Sequence, residues 1–148
     1  MSRHIAIHTG FDLCTGCCLC QLACNERYLG GYNPHLALIR VTHRQENLYH
    51  FPEVCNQCDN PYCATVCVAG AIKRNPDTFA MEVDEGACIG CGLCERYCPV
   101  GMIRVDGETK KALKCDLCQG DPACVNACPT GALKLVTLAR SSAKEVTP

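Results

Sequence analysis

The chain has 148 residues, 17 of them cysteine, with 14 basic and 15 acidic residues and a formal net charge of −1 at pH 7. Its 48% apolar fraction counts the cysteines and falls to about 36% without them, enough for only a modest core. These figures exclude a large catalytic domain with a deep pocket. They also exclude a membrane span, which needs about 20 consecutive apolar residues, and a basic nucleic-acid footprint, for which Lys110-Lys111 and Lys114 are too few.

In chain order, alternation predicts a first strand at residues 4–7. The first cysteine group follows: Cys14, Cys17, Cys20 and Cys24, with a helix running on from Cys24 to the Gly30-Gly31 pair. Strands are predicted at residues 37–42 and 48–51. The second group is Cys55, Cys58, Cys63 and Cys67, with Asn60-Pro61 as a helix start, Asn as N-cap and Pro at the first helical position. Strands at residues 71–73 and 79–83 flank an Asn75-Pro-Asp77 turn. The third group is Cys88, Cys91, Cys94 and Cys98, followed by a strand at residues 102–105 and an Asp106-Gly107 turn. The fourth is Cys115, Cys118, Cys124 and Cys128, with Asp121-Pro122 as its helix start and a last strand at residues 133–136. After groups two to four a glycine stands three residues past the last cysteine, at Gly70, Gly101 and Gly131. It is read as ending a short helix that carries the fourth cysteine.

Sixteen cysteines thus fall into four groups of four, an internal repeat. Groups one and three read C-x2-C-x2-C-x3-C, and groups two and four widen the gap before the third cysteine. A disulfide scaffold is disfavoured by the odd count and by an opening, Met1 to Gly10, with no apolar signal stretch. The expected compartment is the cytoplasm, where thiols stay reduced. Zinc modules separate two ligand pairs by a long spacer, whereas three thiolates in one tight loop with a fourth from elsewhere suit a cubane iron–sulfur cluster. Four all-thiolate cubanes leave no open position for a substrate, so electron transfer follows and no catalytic residue is assigned.

The remaining residues carry no second chemistry. There is no P-loop and no G-x-G-x-x-G after a strand. The histidines, His4, His8, His35, His43 and His50, show no metal-site spacing and are read as surface or strand positions. Tyr62 and Tyr97 neighbour ligands and are read as packing. Lys114, Arg96 and Lys73 are read as surface cations. Cys18 is left over and is read as a small buried apolar residue.

The runs Cys14-Thr-Gly-Cys, Cys55-Asn-Gln-Cys-Asp-Asn-Pro-Tyr-Cys63, Cys88-Ile-Gly-Cys-Gly-Leu-Cys94 and Lys114-Cys-Asp-Leu-Cys118, with Cys128-Pro-Thr-Gly-Ala132, resemble the four-cluster ferredoxin subunits of bacterial and archaeal oxidoreductases. That family includes the iron–sulfur subunits of dimethyl sulfoxide reductase, formate hydrogenlyase, formate dehydrogenase and related tungsten or molybdenum enzymes. The resemblance implies an α+β fold of two bacterial-ferredoxin-like halves, one nested within the other: residues 1–54 with 107–138 outside, 55–106 inside, and a flexible tail at 139–148. It also implies four [4Fe-4S] clusters with crossed ligands. Cys14, Cys17, Cys20 and Cys128 hold one, and Cys115, Cys118, Cys124 and Cys24 its neighbour. Cys55, Cys58, Cys63 and Cys98 hold the third, and Cys88, Cys91, Cys94 and Cys67 the fourth. Thiolates and oxidised cores together would shift the net charge from −1 to about −9.

The implied role is a relay subunit between a catalytic oxidoreductase subunit, such as an aldehyde- or formate-oxidising tungsten or molybdenum enzyme, and a second redox partner. Copies of the chain stacking end to end would extend such a path. A free polyferredoxin carrier and, more remotely, a zinc-binding interaction module stay open as alternatives.

Overall fold

The first and last described segments pair in one ribbon. In the computed structural model, which describes residues 3–139, β1 (Arg3–Thr9) pairs antiparallel with β8 (Leu133–Ala139) from Arg3↔Ala139 to Thr9↔Leu133. Three more two-stranded antiparallel ribbons follow: β2 (Arg40–Arg44) with β3 (Tyr49–Glu53), β4 (Ile72–Arg74) with β5 (Met81–Val83), and β6 (Ile103–Val105) with β7 (Ala112–Lys114). An isolated ribbon is marginal in water, so each depends on what covers it. Helices α1 (Leu19–Leu29), α2 (Tyr62–Thr65), α3 (Leu93–Tyr97) and α4 (Ala123–Asn126) supply that cover, α1 against α4 and α2 against α3. The mixture of short helices and strands is the α+β class read from the sequence.

Local chemistry explains where the elements start and stop. α1 ends at Gly30, which takes φ 65 and donates to the Glu26 carbonyl, as the Gly30-Gly31 pair predicts. The other helices are shorter than expected. α2, α3 and α4 carry the third cysteines, Cys63, Cys94 and Cys124, while Cys67, Cys98 and Cys128 lie beyond the last helical turn. Gly70 and Gly101 are left-handed, but each closes a turn onto the carbonyl of its fourth cysteine, Cys67 or Cys98, and is not a helix cap. Asn60 and Asp121 are not the N-caps. Pro61 and Pro122 occupy that position in extended backbone, and their carbonyls accept the first helical N–H groups. The Asp121 carboxylate instead accepts from the Asn126 amide at 2.7 Å.

Three strands differ from the sequence reading. The strand expected at residues 79–83 begins only at Met81, with Phe79 left-handed at φ 59. The strand expected at residues 37–42 begins only at Arg40, because Ala37, Leu38 and Ile39 are buried in irregular backbone against α1. Strand β7 has no sequence signal: three residues, Ala-Leu-Lys, are too few to show alternation. The expected flexible tail begins at residue 139, but Ala139 ends β8, and the rest of it lies outside the described residues.

Two apolar cores are present. One gathers Ile7, Leu38, Val41, Val54, Leu117 and Leu133. The other gathers Ala71, Ile72, Met81, Ile103 and Ala112. Cysteines belong to both, so the sulfur atoms line the same space that the aliphatic side chains fill. No helix among the described residues is long and apolar enough to cross a membrane.

Candidate metal centres

The fold brings together cysteines that the sequence separates widely. Cys14, Cys17, Cys18 and Cys20 line one hollow with Cys128, more than a hundred residues away in the chain. Cys55, Cys58 and Cys63 line a second with Cys98. Cys88, Cys91 and Cys94 line a third with Cys67. Cys24, Cys115, Cys118 and Cys124 are all buried. They sit close enough that Cys115, Cys24 and Cys118 all raise the Cys124 thiol after burial itself.

Each loop reaches its geometry through one backbone device. The residue before the second cysteine is left-handed in all four: Gly16 at φ 71, Gln57 at φ 49, Gly90 at φ 69 and Leu117 at φ 59. This turn lets two cysteines three apart point inward together. In three loops the residue after the second cysteine is left-handed as well, at Cys18, Gly92 and Gln119. Cys18 therefore occupies a loop position that Gly92 fills elsewhere. It is half-buried, contrary to the buried position expected, and its thiol lies 3.3 Å from the Gly16 carbonyl.

Hydrogen bonds already serve the sulfur atoms. The Leu38 N–H reaches Cys24 Sγ at 3.3 Å, Ala71 N–H reaches Cys67 Sγ at 3.3 Å, and Ala112 N–H reaches Cys88 Sγ at 3.4 Å. The Tyr28 hydroxyl donates to the Asp116 carboxylate, which accepts from Cys118 N–H at 2.8 Å. Thus α1 fixes the fourth loop through a side chain 88 residues upstream.

Lys114 overturns its surface reading. It is buried, and its Nζ lies 3.3 Å from Cys55 Sγ and from Gln57 Oε1, and 3.0 Å from the Met81 and Cys115 carbonyls. Lys73 and Arg96 are exposed as expected. Sequence reasoning missed Lys114 because a lysine beside a cysteine carries no sign of where its amine goes. It also missed Gln57, fully buried and bonded to the Cys115 carbonyl and the Met81 N–H.

The aromatic and histidine readings fare unevenly. Tyr62 lines the Cys55 hollow, though more than half exposed, while Tyr97 is exposed and lines none of the three. His43 and His50 face each other across β2–β3, their Nδ1 atoms 2.8 Å apart, and His8 is exposed.

As bare thiols these sets oppose ionisation. Burial pushes Cys20 and Cys115 up to about 12, each further raised by neighbouring cysteines. At Cys63 burial raises the thiol and the Lys114 charge is the largest opposing influence. Cys128 goes the other way: burial raises it, but N–H groups of Leu133, Thr130 and Ala132 and the Thr130 hydroxyl outweigh that. Four crowded thiolates in an apolar hollow need a cationic core to be stable, and metal coordination deprotonates thiols outright. One buried donor, Asn25 Nδ2, has no hydrogen-bond partner among the described residues, a cost of about 1–3 kcal/mol. No three His, Cys, Asp or Glu among the described residues converge tightly enough for a single ion. The donor chemistry fits a sulfide-bridged iron cluster.

All-thiol sets on an α+β scaffold, hydrogen-bonded at sulfur, are the chemistry of an iron–sulfur protein of the electron-transfer class. The chain belongs to the 4Fe-4S dicluster domain family, which matches residues 46–138. It is 38% identical over 128 residues to the beta subunit of NADH-dependent phenylglyoxylate dehydrogenase of Aromatoleum evansii, covering 85% of this chain but 29% of that one. It is 35% identical to the polyferredoxin-like subunit of aliphatic sulfonate oxidoreductase of Pyrococcus furiosus, covering 85% and 74%. It is 33% identical to the B subunit of the anaerobic dimethyl sulfoxide reductase of Escherichia coli, covering 81% and 67%. In fold it is similar to a component of the active-site complex BamBC of benzoyl-coenzyme A reductase, with a TM-score of 0.57, 20% identity, and 97% and 85% covered.

Proposed function

We propose that this chain is an electron-relay subunit carrying four [4Fe-4S] clusters, built from two ferredoxin-like halves with the second inserted in the first. One set is Cys14, Cys17, Cys20 and Cys128. The second is Cys115, Cys118, Cys124 and Cys24. Cys55, Cys58, Cys63 and Cys98 make the third, and Cys88, Cys91, Cys94 and Cys67 the fourth. The observation that carries the reading is the convergence of three near thiols and one distant thiol on a shared hollow, repeated through the chain.

When bound, each cubane supplies a one-electron redox couple with all four irons ligated. The chain's residues do the rest. The thiols anchor, the N–H groups of Leu38, Ala71 and Ala112 offset negative charge at sulfur, and the apolar cores around the hollows exclude water. The relay passes electrons between a catalytic subunit and a second redox partner, the arrangement to which the oxidoreductase-subunit names of its relatives point.

Anaerobic purification with iron and acid-labile sulfide analysis tests this. The expected result is about sixteen irons and as many sulfides per chain, four cubanes' worth. Far fewer irons, or zinc without sulfide, would overturn it. Because each set joins distant segments, stripping the iron should also abolish most far-UV CD structure; a cooperative thermal melt of iron-free chain would contradict that.

A further inference from the structure

Charge is unevenly shared among the four thiol sets. At the Cys88 set a lysine reaches only a carbonyl, Lys111 Nζ to Cys88 O at 2.6 Å. At the Cys55 set two cations converge. The partly buried Arg74 donates to the Cys58 carbonyl at 2.6 Å and the Phe79 carbonyl at 2.7 Å. Lys114, 7% exposed, reaches sulfur itself. Among the described residues it is the one cation hydrogen-bonded to a cysteine sulfur. Four acceptors surround its Nζ: Cys55 Sγ, Gln57 Oε1 and the carbonyls of Met81 and Cys115. A lysine amine can donate three hydrogen bonds and accept none when charged, so this cage holds an ammonium. Gln57 fixes the cage in turn, its amide donating to Cys115 O at 2.7 Å and its carbonyl accepting from Met81 N–H at 2.8 Å.

We propose that Lys114 is a potential-setting residue: its buried ammonium makes the centre at Cys55, Cys58, Cys63 and Cys98 the most easily reduced of the four. The inference rests on the four-cubane reading above. On gaining one electron from a low-potential one-electron donor, such a centre goes from a formal charge of about −2 to about −3. No bond forms or breaks, and no proton is taken up. A positive charge in contact with one ligand sulfur, in a setting less polar than water, stabilises the more negative state. The first electron to enter the chain therefore resides beside Lys114, at the junction of segments 55–58, 81 and 114–115.

The test uses the full chain, anaerobically prepared, wild type and Lys114→Met, with iron analysis preceding a dithionite redox titration followed by EPR. Too little iron in the wild type condemns the four-cubane reading. Given full iron in both, the expected result is that the first signal to appear in the wild type moves to lower potential in the variant by more than any later signal does. Unchanged titration curves would overturn the role of Lys114. If Lys114→Met does not retain its iron, the wild type labelled with ¹⁵N at lysine Nζ decides. After addition of one electron per chain, pulsed EPR should resolve a ¹⁵N coupling on the reduced centre, and its absence there would overturn the inference.

Discussion

The loops at Cys14 and Cys88 and the loops at Cys55 and Cys115 make the same left-handed turn by opposite means. In the first pair the turn residue is glycine and a neighbour moves in. The carbonyl of Lys110 lies 2.1 Å from where a Cβ on Gly90 would stand, and the His50 ring lies 2.5 Å from a Cβ on Gly16. In the second pair the turn residues are Gln57 and Leu117, both fully buried. A non-glycine left-handed residue costs about 1–2 kcal/mol. Burying a leucine side chain contributes roughly 1.5–3 kcal/mol, enough to offset that cost at Leu117. At Gln57 the offset comes from hydrogen bonds to Cys115, Met81 and Lys114. The repeat therefore preserves a backbone conformation, not a residue. A glycine loop receives its neighbour, and a side-chain loop becomes a neighbour in its turn.

The largest expected effect comes from breaking that second solution. Gln57→Leu should leave the Met81 N–H unpaired and remove one donor from the Cys115 carbonyl, which keeps Lys114, and one acceptor from Lys114. At about 1–3 kcal/mol for the unpaired group and about 0.5–1.5 kcal/mol for each of the two other bonds lost, the loss is roughly 2–6 kcal/mol. The measurement is the temperature at which visible cluster absorption disappears, and Leu117→Met, which keeps the apolar volume, should fall far less. Equal losses in the two variants would show that the buried polar seam contributes nothing beyond its volume.

The two glycine loops should then separate from each other. Gly90→Ala meets a backbone carbonyl that cannot rotate away, so it should cost about 3 kcal/mol or more, combining displaced backbone with left-handed strain. Gly16→Ala meets only the His50 side chain, which can turn outward, leaving about 1–2 kcal/mol of strain. Iron retention under chelator challenge should rank wild type first, Gly16→Ala second and Gly90→Ala last. A reversed ranking would mean that the His50 contact, not the Lys110 carbonyl, is the tighter constraint.

Much of this is legible in the amino-acid sequence. Cysteine spacing announces four loops, and Gly30-Gly31 marks the end of α1, because both signals are local. The burial of Lys114 and Gln57 is not legible, since all but one of their partners lie 24 to 59 residues away in the chain. A polar residue inside a cysteine loop reads as solvent-facing until the fold shows what covers it. Strand β7 escapes for a different reason: it brings Ala112 N–H to Cys88 Sγ, and tertiary position defines it more than alternation does. Residues 103–105 and 112–114 pair as one hairpin across the boundary expected at 106/107.

The smallest effect concerns the first loop and its leftover thiol. Cys18 sits at φ 59, where the third loop has Gly92 at φ 78. Cys18→Gly should relieve about 1–2 kcal/mol of left-handed strain and give back about 0.4–1 kcal/mol through the greater freedom of the unfolded chain. The contact between Cys18 Sγ and the Gly16 carbonyl at 3.3 Å is lost as well. The net change should lie between zero and about 1.6 kcal/mol of stabilisation by those two figures, with the iron content equal to that of the wild type. If instead Cys18→Gly lost about four irons, one cubane's worth, the thiol would be a ligand and the first loop would not share the geometry of the third.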